Sequence, residues 1–187
     1  MNYVLAVLAA IGLAACAGLR AFLPLFAAGL AARVLNWPLG DSLAWLASTP
    51  ALIVFGIASL IEIAADKIPI VDHGLDAAHT FLGPAAGAVV AMAPMFRLDL
   101  PTPLTVALGI MTGASVAGGV HAIAAAARLK STAATAGLAN PILSFIEDGL
   151  AMLWALVAIL APILVVVALA MFAVVIRKLL GLRRARA

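Results

Sequence analysis

Five apolar stretches, at residues 3–35, 50–66, 80–96, 104–128 and 141–179, leave this chain no aqueous fold. They read as helices in a bilayer, where each backbone polar group has to be satisfied within its own segment. Runs rich in Ala and Leu without two-residue alternation exclude a closed barrel. The first and last stretches are too long for single upright helices. At ~1.5 Å per residue each would extend ~50–58 Å against a hydrocarbon core of ~30 Å. Each must tilt, break or fold back. Gly18, Arg20 and Pro24 near the centre of the first, and Pro162 in the last, supply the breaking points.

Composition fixes the class. At 66% hydrophobic and 10% charged residues, with mean hydropathy +1.24, the chain falls far below the charge of a soluble globule, about a quarter. The expected fold is all-α: a polytopic transmembrane helix bundle of five to six crossings, with broken helices, held within 187 residues. The net charge of +3 and pI near 9.6 do not indicate nucleic acid. Five of the eleven basic residues, Arg177, Lys178, Arg183, Arg184 and Arg186, sit together in the tail. That grouping places the C-terminus on the cytoplasmic side, against anionic lipid. The single Cys16 excludes a disulfide framework and a multi-Cys metal site. Leu13-Ala14-Ala15-Cys16 matches a lipoprotein cleavage box, but Met1-Asn2-Tyr3 carries no positive charge and the apolar run continues to Leu35. The chain is therefore expected to remain uncleaved.

A short phrase occurs twice. Ser59-Leu60-Ile61-Glu62 is answered by Ser144-Phe145-Ile146-Glu147, and Ala17-Gly18-Leu19-Arg20-Ala21 by Ala117-Gly118-Gly119-Val120-His121. In each copy of the first phrase a hydroxyl and a carboxylate three residues apart share a helical face. Two membrane repeats are expected, 1–99 and 100–187, the second ending in the basic tail and inverted relative to the first. Their boundary lies near the Leu98–Pro103 loop. Substrate sites in such folds lie between repeats. Asn36 to Trp45 should lie at the interface, with Trp37 and Trp45 at headgroup depth and Asp41 or Ser42 capping a short helix. Gly109, Gly113 and Gly118 mark a helix that can approach another closely.

Polar chemistry is densest from Glu62 to His79. Glu62, Asp66, Lys67, Asp72, His73, Asp76 and His79 include four of the eight acids and two of the three histidines. Glu62 and Asp66 share a helix face until Pro69 ends or kinks the helix. Asp72, His73, Asp76 and His79 have spacings that suit a divalent metal ion such as Zn, Mn or Fe, or protons. The alternative is helix capping at a solvated connection. A carboxylate inside a membrane costs ~2.5 kcal/mol or more and so faces a cavity or a partner. The ion or substrate site is accordingly placed at Glu62 and Glu147, with Asp66, Asp148, Arg20 and His121. Arg20 is either the counter-ion of the two glutamates or an interfacial snorkeller, and His121 is a relay or a packing residue. Lys67 either snorkels or pairs with Asp66.

Gly18-Leu19-Arg20-Ala21-Phe22-Leu23-Pro24-Leu25, Ala65-Asp66-Lys67-Ile68-Pro69 with Asp72-His73 and Asp76, and Pro84-Ala85-Ala86-Gly87-Ala88 resemble the bacterial membrane family named domain of unknown function 4126. The resemblance spans most of the chain. It implies a multi-pass protein, here of a bacterial inner membrane, and carries over no functional residue. More distantly, Glu62-Ile63-Ala64-Ala65-Asp66-Lys67 is similar to the Glu-x-Gly-Asp-Lys-Thr phrase of calcium/manganese–proton exchangers. It departs by one extra residue, by Ala for Gly and Ile68 for Thr, and by a second copy without Lys.

Enzyme signatures are missing from the sequence: it has no Gly-x-Ser-x-Gly, no His-Glu-x-x-His and no phosphate loop. The expected function is therefore not enzymatic. It is a small inverted-repeat transporter moving a divalent cation or a proton-coupled solute, with Glu62 and Glu147 facing each other. The alternatives are a lipid-phosphate flippase and a non-transporting membrane scaffold. Expected partners are the bilayer, a small ion or solute and a second copy in a homo-oligomer, with no nucleic acid.

Overall fold

The structure, a computed structural model, describes residues 3–37 and 39–181; the side chains at 69–73, 172, 173 and 175–181 lie outside the described set. Among the described residues it is all-α: α1 Tyr3–Leu19, α2 Phe22–Leu35, α3 Thr49–Ala65, α4 Pro69–Met95, α5 Thr102–Thr135, α6 Asn140–Leu160 and α7 Leu164–Gly181. Short 3-10 turns occupy Asp41–Ala47 and Phe96–Leu98. Among the described residues, by length and composition three helical spans can cross a membrane: Gly74–Leu98, Thr102–Thr135 and Asn140–Leu160. The bent pair Asp41–Ala47 and Thr49–Ala65, with a 64° bend, makes a fourth. α1 and α2 are shorter apolar helices.

Helix α1 is the axis of the bundle. Its sequence sets Ala or Gly on every face, and Ala6, Ala9, Ala10, Ala14 and Ala17 are fully buried. A helix that is apolar all round is buried in a core or spans a membrane; α4, α5 and α6 pack most heavily on this one, leaving Tyr3, Val4 and Val7 exposed at its start. Small side chains permit this closeness. A methyl group at Gly12 would meet Ala158 Cβ at 2.7 Å and Val165 Cγ2 at 2.9 Å.

The contacts also give directions. Ala10 packs with Ala91 and Met95, whereas Gly83 lies near Ala17 and Gly18, so α1 and α4 are antiparallel. Gly113 faces Gly87, and Gly109 faces Met92, so α4 and α5 are antiparallel as well. Phe26 lies over Gly56, and Gly29 against Leu46 and Leu52, which sets α2 antiparallel to α3. Glu62 of α3 meets His79 of α4, while Phe55 shares a cavity wall with Val89. Helix α3 therefore runs with α1, and α2 runs against it. The first apolar stretch does not kink through the membrane; it folds back on itself at Arg20.

Both expected breaks occur, at Arg20–Ala21 and, beside Pro162, at residues 161–163. The expected cap of the short helix is corrected: Gly40, with φ 73°, precedes Asp41–Ala47, and neither Asp41 nor Ser42 caps it through a side chain. A methyl at Gly40 would also strike Phe96. Ser48 does cap α3, its Oγ accepting from the Ala51 N–H at 3.3 Å. Close approach is borne out at Gly109 and Gly113, which face Met92 and Gly87, whereas Gly118 makes ordinary contact with Pro84 at 3.6 Å.

One pair of repeated phrases meets in space: Gly18 lies against Ala117 and Val120. α3 and α6, which carry the Ser–Glu phrases, run in opposite directions, as inversion requires, whereas α1 and α5, which carry the other pair, run in the same direction. Gly113→Ala should cost ~1–3 kcal/mol by forcing α4 and α5 apart. Gly119→Ala, which meets open space, should be neutral or stabilise by up to about 1 kcal/mol. Thermal unfolding in detergent checks the contrast, and equal effects of the two substitutions would contradict this packing.

Candidate functional site

The fold-back at Arg20 places a guanidinium with no solvent exposure at the end of the bundle where α1 and α3 finish and α6 begins. Arg20 Nη1 stands 2.5 Å from Asp66 Oδ2. Its Nε donates to Asp148 Oδ1 at 2.7 Å, and Nη2 lies 2.7 Å from the same oxygen. Nη2 also donates to Ser144 Oγ at 3.1 Å, and Nη1 to the Leu19 carbonyl at 3.2 Å. Such saturation is what a buried guanidinium requires, since an unpaired one would be strongly destabilising.

Two further cations extend the network. Arg128 Nη2 reaches Asp66 Oδ2 at 2.8 Å, and the same guanidinium is paired with Glu147. Lys67 Nζ sits 2.5 Å from Asp148 Oδ2 and 3.0 Å from Ser144 Oγ, and 4.5 Å over the Phe145 ring. Burial raises the Asp66 carboxyl, but the guanidinium groups of Arg20 and Arg128 outweigh it and hold the carboxyl below the usual range.

Glu62, 1% exposed, takes a different set of partners. Its Oε1 accepts from the Ala21 N–H at 2.7 Å and its Oε2 from the Phe22 N–H at 3.2 Å. It therefore satisfies two of the unpaired donors at the start of α2, where the helix dipole favours negative charge. His79 Nε2 lies against Glu62 Oε1. Beyond it the His79 and His121 rings are 6.0 Å apart, and Thr80 Oγ1 lies 3.4 Å from His121 Nε2.

Several expectations are corrected. Glu62 and Glu147 do not pair with each other or with Arg20: Glu62 goes to α2 and His79, Glu147 to Arg128, and Arg20 to Asp66 and Asp148. Arg20 is a counter-ion and not a snorkeller, because it is enclosed on every side. Lys67 pairs with Asp148 instead of Asp66, since adjacent residues do not face each other on a helix. Asp66 and His79 go to different partners: Asp66 enters the Arg network and His79 turns to Glu62. Asp72 and His73 lie outside the described side chains, and no group of three His, Cys, Asp or Glu among the described residues is placed to hold a metal ion. The two hydroxyls of the repeated phrase also differ. Ser144 joins the network, whereas Ser59 Oγ donates to its own helix at the Phe55 carbonyl, 2.7 Å.

A cavity of about 210 Å³ beside α2 is lined by Ala21, Phe22, Leu25, Trp45, Phe55, Leu82, Ala85, Ala86 and Val89, with neither glutamate in its wall. The role of Arg128 was missed. It stands at the end of an apolar stretch, two residues before Lys130, and reads as a loop charge until α5 is seen to continue to Thr135.

Arg20→Met should destabilise the protein by ~3–5 kcal/mol, because Asp66 and Asp148 lose a buried partner. Adding Asp148→Asn should recover part of that loss. Because Asp66 is held below its unfolded value, its contribution is present above about pH 4 and is lost on acidification. Thermal unfolding across pH checks both: Asp66→Asn should flatten the acid limb.

No curated protein and no solved structure matches the chain. A family model described as a domain of unknown function (DUF4126) matches residues 7–181. A match over nearly the whole chain, on a bundle of apolar helices, places this protein in the family of domain of unknown function 4126.

Proposed function

We propose that the chain is a small membrane transporter, not an enzyme, that moves a cation in exchange for, or together with, protons. One observation carries this reading. Three fixed cations, Arg20, Lys67 and Arg128, and four carboxyls, Glu62, Asp66, Glu147 and Asp148, converge from α3, α5, α6 and the α1–α2 and α3–α4 connections at a broken helix. Ionisable groups inside a membrane bundle are costly and usually mark ion or substrate paths. Broken helices whose N-termini face carboxylates are a common device at transporter sites.

The pairing suggests the mode of action. Asp66 is shared by Arg20 and Arg128, and Asp148 by Arg20 and Lys67. A shared carboxylate can exchange partners without any charge being left unpaired, so protonation or cation entry at one acid shifts the others. Protons suit this site better than a resident divalent ion, since the described acids are already occupied by protein cations. The inverted repeat is supported by α3 and α6 alone. A lipid-phosphate flippase gains nothing from Arg20, which is closed off by protein carboxylates. The complete pairing of the acids favours, as the second reading, a scaffold in which they only join helices.

Purified protein in vesicles loaded with a pH-sensitive dye tests the proposal against imposed gradients of Na, K, Mn and Zn. At least one cation should drive protein-dependent proton movement, and Glu62→Gln should abolish it while keeping a cooperative thermal transition. Silence of the wild type with all four cations would leave the scaffold reading in place. The membrane is proposed to be a bacterial inner membrane with the C-terminus cytoplasmic, from the tail residues Arg177, Lys178, Arg183, Arg184 and Arg186, whose side chains lie outside the described set. A reporter fused after Ala187 should be active in the cytoplasm; activity confined to the periplasm would reverse the topology.

A further inference from the structure

Among the described residues, charge in the network does not balance on its fixed groups. Arg20, Lys67 and Arg128 supply three positive charges against the four carboxyls of Glu62, Asp66, Glu147 and Asp148. An uncompensated charge at this depth is expensive. Imidazole is the side chain that ordinarily gains and loses a proton near neutral pH, and among the described residues the imidazole in contact with these carboxyls is His79. It is 5% exposed, with Nε2 against Glu62 Oε1. Both Glu62 oxygens already act as acceptors for the Ala21 and Phe22 N–H groups, so the balancing proton falls to the ring.

A route leads outward from that ring. His121 of α5 presents its ring 6.0 Å from His79, tilted by 57°, a separation that one water or a small ring rotation bridges. His121 Nε2 lies 3.4 Å from Thr80 Oγ1. Thr80 is exposed, and its hydroxyl donates to the Asp76 carbonyl at 3.3 Å. His79 and Glu62 are thus joined to the rim of the bundle by polar groups from α4 and α5 in an otherwise apolar wall.

We infer that the Glu62–His79 pair holds the one exchangeable proton of the network and that His121, reached from Thr80 and Asp76, carries it in and out. This rests on the transporter reading and deepens it by naming the group that holds the coupling proton and the path it takes. The step balances simply. The His79 imidazolium gives up one N–H proton, the neutral His121 ring accepts it on one nitrogen, and the proton on its other nitrogen passes to water at the rim. The network is then left with one net negative charge, which a cation entering from elsewhere neutralises. The charged and titratable groups within electrostatic reach of the two histidines and Glu62 are Cys16 of α1, Asp76 of α4, Arg128 of α5 and Glu147 of α6. Arg128 and Glu147 are tied to each other.

Full-length protein with ¹⁵N-labelled histidine, in detergent micelles, tests this by ring-nitrogen NMR, with His79→Gln assigning the signal. His79 should pass once from imidazolium to neutral as pH rises, and Glu62→Gln should displace that transition. His121→Asn and Thr80→Val should preserve the transition but slow proton exchange at His79 by about 100-fold, the lower end of what a positioned acid–base group contributes. A His79 that stays neutral throughout overturns the proton site. Unchanged exchange in both variants overturns the route, and Thr80→Val, at an exposed position, decides this alone if His121→Asn does not fold. Because the titration needs no transport, a titrating His79 in a protein that moves no protons into vesicles rejects the transporter and keeps the site. Proton flux with a silent His79 rejects the site and keeps the transporter.

Discussion

Arg20 organises this bundle because a guanidinium without solvent cannot be left with any donor unused. Its side chain reaches Asp66 beyond the end of α3, Ser144 and Asp148 in the first turns of α6, and the carbonyl of its own neighbour Leu19. Those partners come from both halves of the sequence, so the guanidinium fixes the mutual position of α1, α3 and α6 more tightly than apolar packing between Ala-rich faces can. A buried ion pair adds little net stability by itself. It contributes specificity instead: in a bilayer every apolar face is interchangeable with lipid, whereas a misplaced Arg20 leaves several charges unmatched at once.

The fold-back of α1 onto α2 follows from the same constraint. Breaking a helix in a membrane exposes backbone donors that lipid cannot satisfy. Here Glu62 accepts the Ala21 and Phe22 N–H groups, and the Arg20 N–H still bonds to the Cys16 carbonyl at 2.8 Å. The break therefore costs few hydrogen bonds, and the carboxylate that stabilises it is stabilised in turn by the dipole of α2.

Much of this was legible in the sequence because it depends on local cost. Gly18, Arg20 and Pro24 in an over-long apolar run demand a break, and the break lies at Arg20. A carboxylate inside each Ser–Glu phrase demands burial and a partner, and Glu62 and Glu147 are 1% and 7% exposed. What sequence could not give was which charge meets which. Glu62 and Glu147 look equivalent in their phrases, but one sits near the end of α3 beside a helix N-terminus and the other near the start of α6 beside α5. Arg128 was unreadable for a related reason: its importance comes from the continuation of α5 past the apolar run. Nothing local distinguishes it from Lys130, which is exposed two residues later.

The sharing of carboxylates separates this network from a set of isolated salt bridges. An isolated buried pair has two states, made and broken, and the broken state costs several kcal/mol. Asp66 and Asp148 each serve two cations, so a side chain can shift its weight from one partner to the other while every charge keeps a counter-charge. Lys67 is the member with most freedom, since its side chain is 23% exposed where that of Arg20 is fully enclosed. Rearrangement therefore meets least resistance at the Lys67–Asp148 edge and most at Arg20. Motion that opens the network would start from the α3–α6 side and leave the α1 axis in place.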